Sequence, residues 1–367
     1  MSRFAIDVAV VVPLHNKQAS VVRAVQSALS QTHRPSTVVV VDDGSTDKSV
    51  ERIAEAGLLP RIQLIQQEQR GPGPARNAGW SACDAEWIAF LDADDVWKPN
   101  HLASLQSAIH AYPHVEWATT TREFEWGSNR RGLEVLHGSL RRAWRASERP
   151  QAVLANYFLL AVHGEALPNS SSTMIRRSAL EAVGGFPDAL PSEDLALWCV
   201  LALRGDMACS RARTLIIRKD GANITKRLRG RARVSDRFDP MALRNRPDVA
   251  VIDSLRDASV LDEDVRFWAE CYMDFLLTRH WVTIILDASQ PLARKSLGLV
   301  RRRKGTQFHL FLLASWLPSW VARPVGRALS MLLDVAGFEK PVSPFADRGW
   351  QGRQFQNWLD NVVESFQ

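Results

Sequence analysis

Residues 37–47 read Thr37-Val-Val-Val-Val-Asp42-Asp43-Gly44-Ser45-Thr46-Asp47. The β-branched run predicts a buried strand at Thr37 to Val41. It ends in two carboxylates, a turn glycine and residues that start helices. A carboxylate there can accept hydrogen bonds from a base or ribose, and Gly44 lets the chain approach a ligand closely. Read on its own, Asp42 to Asp47 is equally a strand-to-helix turn with capping side chains.

The same alternation extends both ways. From residue 8 to about 121, short apolar runs at Val8 to Val12, Arg61 to Ile65, Trp87 to Leu91 and Val115 to Thr121 alternate with helical patterns at Ala19 to Ser30, Asp47 to Ala56 and from Pro99 onward. Strands alternating with crossover helices predict βαβ units and a parallel sheet. In such sheets ligands bind at the carboxyl ends of the strands. The residues at that rim are Pro13 to Asn16, Asp42 to Asp47 and Asp92 to Asp95.

Phe90-Leu-Asp92-Ala-Asp94-Asp95 sets three carboxylates in four residues directly after an apolar strand. Carboxylates converging like this repel one another unless a cation sits among them. Mg²⁺ prefers oxygen ligands and commonly takes one or two carboxylates plus substrate phosphates. A metal held there would offset the charge that develops on a leaving diphosphate. From 122 to 220 the pattern is mixed, with Asn169-Ser-Ser-Ser-Thr173 and an acidic turn at Ser192-Glu193-Asp194. On its own the latter reads as a helix N-terminus, where the dipole favours acidic residues.

Composition narrows the class. The 367 residues are 46% hydrophobic and 23% charged, enough for one large domain or two ordinary ones and unlike a disordered chain. A net charge of +6 suits an anionic partner. The four cysteines are dispersed without zinc spacing and read as reduced thiols. The N-terminus lacks a long apolar segment and a cleavage site, so no secretion is expected. The basic residues at 227–246 and 301–303 lack aromatic interleaving, and no nucleic-acid partner is expected. Gly71-Pro-Gly-Pro-Ala-Arg76 fails the dinucleotide fingerprint because Arg76 stands where its third glycine belongs.

Four ordered stretches, Val-Val-Val-Pro13-Leu-His-Asn-Lys17, Val-Asp-Asp-Gly-Ser-Thr-Asp47, Gly-Pro-Ala-Arg-Asn-Ala-Gly79 and Phe-Leu-Asp-Ala-Asp-Asp95, resemble the inverting glycosyltransferase family 2. Gly184-Gly-Phe-Pro and Ser-Glu-Asp-Leu-Ala-Leu-Trp198 resemble its later acceptor-side motif. The resemblance implies a GT-A fold, an α/β, Rossmann-like, mostly parallel sheet flanked by helices, over residues 1–220. Residues 1–121 would form the nucleotide-sugar half and 122–220 the acceptor half. It further implies a nucleotide-diphosphate sugar donor, by default a uridine diphosphate sugar, and a sugar, lipid-linked or other hydroxyl acceptor, in cell-surface polysaccharide or glycolipid synthesis.

By position, Pro13, Asp42 and Asp43 would line the nucleoside pocket, with Asn16, Gly44, Ser45 and Asn77 on the same donor-binding surface and Arg76 close to the donor. Asp92, Asp94 and Asp95 would hold Mg²⁺ or Mn²⁺ and the diphosphate. Asp194, paired with Glu193, falls at the catalytic-base position. No Gln-x-x-Arg-Trp sequence follows, so single addition is expected rather than processive synthesis. The rival readings are a non-catalytic sugar-nucleotide binder and a sugar nucleotidyltransferase; the latter would be expected to carry a glycine-rich loop after the first strand, where Pro13 to Lys17 has none.

Beyond the catalytic region, residues 221–300 read as a basic linker, extending to about 256, followed by helix at Val265 to Leu286. Residues 301–367 read as an amphipathic helical region. Arg301-Arg-Arg-Lys304 beside the apolar stretch 308–321 and the helical spacing after Pro324 fit an anionic membrane surface contacted through 301–337. Packing of that helix on the core fits equally. The location expected is cytoplasmic, peripheral at the inner face of the cell membrane.

Overall fold

The computed structural model describes residues 5–126, 130–133, 147, 149, 151–162, 168–188, 193–218, 247–255, 261–267, 269–273, 357–358 and 361–362. Strand β1 (Val8–Leu14) leads through α1 (Val21–Leu29) to β2 (Thr37–Asp43), then α2 (Ser49–Glu55), β3 (Gln63–Gln67), α3 (Pro72–Ser81) and β4 (Trp87–Phe90). After β5 (Val96–Trp97), α4 (His101–Ala111) precedes β6 (Trp117–Trp126), β7 (Arg130–Leu133) and β8 (Ala152–Ala155). Helix α5 (Tyr157–Val162), β9 (Thr173–Arg176), α6 (Arg177–Val183), α7 (Glu193–Arg204), β10 (Met207–Arg218) and α8 (Pro247–Leu255) follow.

The strands form one sheet in the order β3-β2-β1-β4-β9-β6-β10-β5, with β7 on β6 and β8 on β10. β3, β2, β1 and β4 pair in parallel, as the βαβ pattern predicts. β9 runs antiparallel between β4 and β6, and β6 pairs in parallel with β10. Strands 1–4, 6 and 10 therefore share one direction. β5, β7 and β8 are antiparallel additions, so beyond β4 the sheet is mixed.

β1 and β2 are apolar at nearly every position because both faces of the sheet are covered. Val11, Val39 and Val41 face a core shared with α3, α5, α6, α7 and α8. Val8, Val10, Val12, Val38 and Val40 face the opposite core with α1 and α4. Helix α3 lies so close to β1 that a Cβ on Gly79 would sit 2.3 Å from Val11 Cγ1. Only glycine permits that approach.

Helix α8 begins at Pro247, inside the stretch that reads as linker, and buries Val251, Ile252 and Leu255 in the same core. Residues 263–267 and 269–273 are helical, in keeping with the helix expected from Val265. Trp358 and Val362 are also buried there, and Trp358 Nε1 donates to the Gly185 carbonyl at 3.1 Å. The expected linker residues 221–246 and the membrane-contact segment 301–337 lie outside the described residues. Among the described residues no helix is long and apolar enough to cross a membrane.

Candidate active site

The rim is organised by pairing between the loops that follow β1 and β2. Asn16 takes a left-handed backbone (φ 52°), and its side-chain oxygen accepts from the amides of Thr46 (2.8 Å) and Asp47 (3.2 Å). Its own amide donates to Ser45 Oγ at 3.0 Å. Asn16 and Ser45, expected on the donor surface, thus meet each other first. Pro13 is half-buried on β1 opposite Val41.

Asp42 and Asp43 are both buried. Asp42 accepts from the Ser45 amide (3.1 Å) and Gln66 Nε2 (3.3 Å). Asp43 accepts from Gln67 Nε2 (2.7 Å) and from the amides of Arg70 (2.8 Å) and Gly71 (2.7 Å), fixing the entry to α3. The Asp43 carbonyl accepts from His15 Nδ1 at 2.8 Å, which leaves His15 Nε2 to accept from the side-chain amides of Asn16 and Gln69. Gly44 is required by the backbone itself: it lies at φ +66°, and a Cβ there would stand 2.9 Å from the Gln69 amide nitrogen.

Asn77, expected on the donor surface, is engaged within the protein. Its amide group donates to the Phe186 carbonyl (2.7 Å) and its oxygen accepts from the Phe186 amide (2.8 Å) and Trp80 Nε1 (3.0 Å). It clasps α3 to the Gly184–Phe186 turn, with its oxygen accepting twice and one of its two amide N–H groups donating.

The centre of the site is Arg76 on α3. Nη1 donates to Glu193 Oε1 at 2.7 Å and Nη2 to Asp92 Oδ1 at 2.8 Å, while Nε–H is buried without a partner among the described residues. Burial alone would weaken its charge, but Asp92 and Glu193 outweigh that and hold the guanidinium above its ordinary pKa. The arginine brings together the end of β4 and the start of α7, 117 residues further along the chain. Asp194 adjoins on the first turn of α7, so the acidic pair is a helix N-terminus as well as part of the rim. Its Oδ1 accepts from the Leu195 amide at 2.8 Å. Burial first, then the Glu193 carboxylate, push the Asp194 pKa up to about 7.

The Asp92–Asp95 cluster divides. Asp92 holds Arg76 and is about 35% exposed. Asp94 takes Lys17 Nζ at 2.5 Å. Asp95 turns inward, where Ser171 Oγ donates to it at 2.6 Å, and burial followed by the charges of Asp92 and Asp94 raises its pKa. Ser171 Oγ in turn accepts from the Asp92 amide at 3.0 Å. The repulsion that implied a metal is met here by Lys17 and Arg76. Among the described residues no three His, Cys, Asp or Glu side chains are placed to hold a metal by themselves. Asp92 and Asp94 remain a hard-oxygen pair on the rim, which suits Mg²⁺ or Mn²⁺ when phosphate and water complete the shell. Lys17 and Ser171 are the site residues that sequence reasoning misses; the position of Lys17 just past β1 was the available signal.

A sheet whose parallel strand ends carry such a rim, with an antiparallel strand inserted between β4 and β6, is the GT-A arrangement. The structure of Staphylococcus aureus TarS 1-349 in complex with UDP-GlcNAc superposes with a TM-score of 0.59 at 18% identity, covering 92% of this chain and 93% of that one. The Pyrobaculum calidifontis mannosyltransferase PcManGT in complex with GDP-Man and Mn²⁺ gives 0.54 at 15% identity, covering 99% and 86%. Residues 9–183 match the family Glycosyl transferase family 2. An uncharacterized glycosyltransferase of Nostoc sp. is 32% identical over 181 residues, 48% of this chain and 52% of the relative. Succinoglycan biosynthesis protein ExoO of Rhizobium meliloti is 46% identical over 97 residues, 26% and 28% of the two chains. The matches thus span about half or less of these curated relatives.

Proposed function

We propose that this chain transfers a sugar from a nucleotide-diphosphate sugar to an acceptor hydroxyl with inversion of configuration. The observation that carries the reading is Arg76, which joins Asp92 at a strand end to Glu193 beside Asp194 and so unites the donor-side and acceptor-side halves. Asp194 is the general base: with a pKa near 7 it is deprotonated enough to accept a proton and basic enough to hold one at neutral pH. It removes the acceptor hydroxyl proton as the oxygen attacks the anomeric carbon on the face opposite the departing nucleotide. Asp92 and Asp94 would hold Mg²⁺ or Mn²⁺, which would supply positive charge to the leaving diphosphate.

The TarS complex favours a uridine diphosphate sugar, and the succinoglycan relatives favour a cell-surface polysaccharide or glycolipid acceptor. An anionic membrane contact through residues 301–337 belongs to the same reading. Deleting that segment should abolish flotation with anionic liposomes, and equal flotation of both chains would refute the contact.

Turnover tests the main reading. Incubation with Mn²⁺ and a panel of UDP- and GDP-sugars should give transfer to a hydroxyl acceptor, and Asp194→Asn should lose transfer while retaining donor binding. Full activity in Asp194→Asn would remove it as the base. Donor binding without transfer or hydrolysis across the panel would mark a non-catalytic binder.

A further inference from the structure

Lys17 stands out because its charge is placed by two loops rather than by its own helix. Its amide donates to Ser49 Oγ at 2.8 Å, and its carbonyl accepts from the amides of Ser20 and Val21, both at 3.0 Å. The backbone is therefore fixed whatever the side chain does. From that position Nζ reaches Asp94 Oδ2 at 2.5 Å across 77 residues of sequence, with the two side chains 26% and 28% exposed.

An ammonium at that distance fills the space beside the carboxylate oxygen that a second cation would need. Two cations on one oxygen repel each other, so metal and Lys17 compete for Asp94. The other cation of the rim is different in kind. Arg76 is buried and held at both ends by Asp92 and Glu193, so it stays in place. Lysine is a compact charge on a flexible stem and can swing to another anion without moving the backbone.

We propose that Lys17 is the resident counter-ion of Asp94 in the donor-free chain, and that a divalent cation takes Asp94 only as the donor diphosphate draws the ammonium away. Metal and nucleotide then bind as a pair, each strengthening the other by the same factor, as linkage requires. The inference rests on the donor-site reading above, in which Asp92 and Asp94 are the metal-side carboxylates.

Mn²⁺ binding to the full chain, followed by electron paramagnetic resonance of the free ion, tests it in three arms: no nucleotide, UDP, and GDP. In the wild type, Mn²⁺ should bind weakly alone and at least about fivefold more tightly with one nucleotide. Lys17→Met should tighten nucleotide-free Mn²⁺ binding and shrink the coupling by a similar factor, whereas Lys17→Arg should retain both wild-type properties. Circular dichroism melting of Lys17→Met should match the wild type, since the residue-17 amide keeps its bond to Ser49. A folded Lys17→Met with unchanged Mn²⁺ affinity and unchanged coupling overturns the proposal while leaving the donor site intact. Absence of Mn²⁺ and nucleotide binding in the wild type overturns the donor-site reading and this inference with it.

Discussion

Replacing Arg76 by Met keeps most of the side-chain length and removes the charge that joins the two halves of the site. The two ion pairs differ in weight. Toward Glu193 both side chains are nearly buried, at 5% and 8% exposure, so the substitution leaves a carboxylate unpaired away from water. Removing one partner of a buried pair costs about 3–5 kcal/mol. Toward Asp92, at 35% exposure, water substitutes for the guanidinium and the loss is about 0–1 kcal/mol. The guanidinium also lies 5.2 Å from the Phe186 ring centroid, a contact contributing about 0.5–1 kcal/mol. The expected destabilisation is about 4 kcal/mol, seen as a fall in Tm of roughly 10 °C. Urea unfolding of wild type, Arg76→Met, Glu193→Gln and the double variant measures it. The double variant should be more stable than the sum of the singles predicts, by about 2 kcal/mol. Strict additivity, or a loss under about 1 kcal/mol for Arg76→Met, would refute the view that this arginine neutralises a buried carboxylate.

Asp194 and the buried His101 should give opposite stability slopes with pH. Asp194 has its folded pKa pushed up to about 7, so the folded state binds the extra proton and stability falls as pH rises from about 4 to 7. Burial lowers His101 to about 3, so the unfolded state binds the extra proton and stability rises from about 3 to 6.5. Each term is on the order of a few kcal/mol. Asp194→Asn should unmask the rising slope and His101→Phe the falling one in thermal melts from pH 4.5 to 7.5; parallel curves for wild type and variants would contradict both. Gly44→Ala should destabilise by about 2 kcal/mol or more, adding the Gln69 clash to left-handed strain, whereas Gly57→Ala, at the same φ of +66° with nothing within 4 Å, should lose only about 1 kcal/mol. Equal Tm shifts would show that the Gln69 contact relaxes freely. Asn77→Ala should lower stability by about 1–3 kcal/mol through the broken Phe186 clasp. Nucleotide affinity by calorimetry should stay within about twofold, and a tenfold loss, about 1.4 kcal/mol, would return Asn77 to the donor surface.

The strands that build the rim are legible because burial on both faces leaves long β-branched runs, as at Val8–Val12 and Thr37–Val41. Helix α3 is hidden by Pro72-Gly-Pro74, which reads as a turn. The two prolines fall in the first helical turn, where backbone amides have no intrahelical acceptor and the missing N–H groups remove nothing. Strand β9 is only Thr173–Arg176, and its insertion between β4 and β6 depends on pairings more than fifty residues apart in sequence, which no local pattern records.

The site shows the same division between local and long-range information. Carboxylates are visible because three in four residues is an unusual local pattern, and their mutual repulsion correctly requires positive charge nearby. Sequence cannot say whose charge it is. The chain supplies Lys17 to Asp94 and Arg76 to Asp92, while Asp95 withdraws to Ser171, a contact 76 residues long. A metal is therefore not needed to assemble the donor-free rim. Its place in the proposed reaction comes from the diphosphate instead, whose added negative charge exceeds what one fixed arginine and one half-buried lysine balance. The rim is then neutral enough to fold without its ligand and acidic enough to take a cation when that ligand arrives.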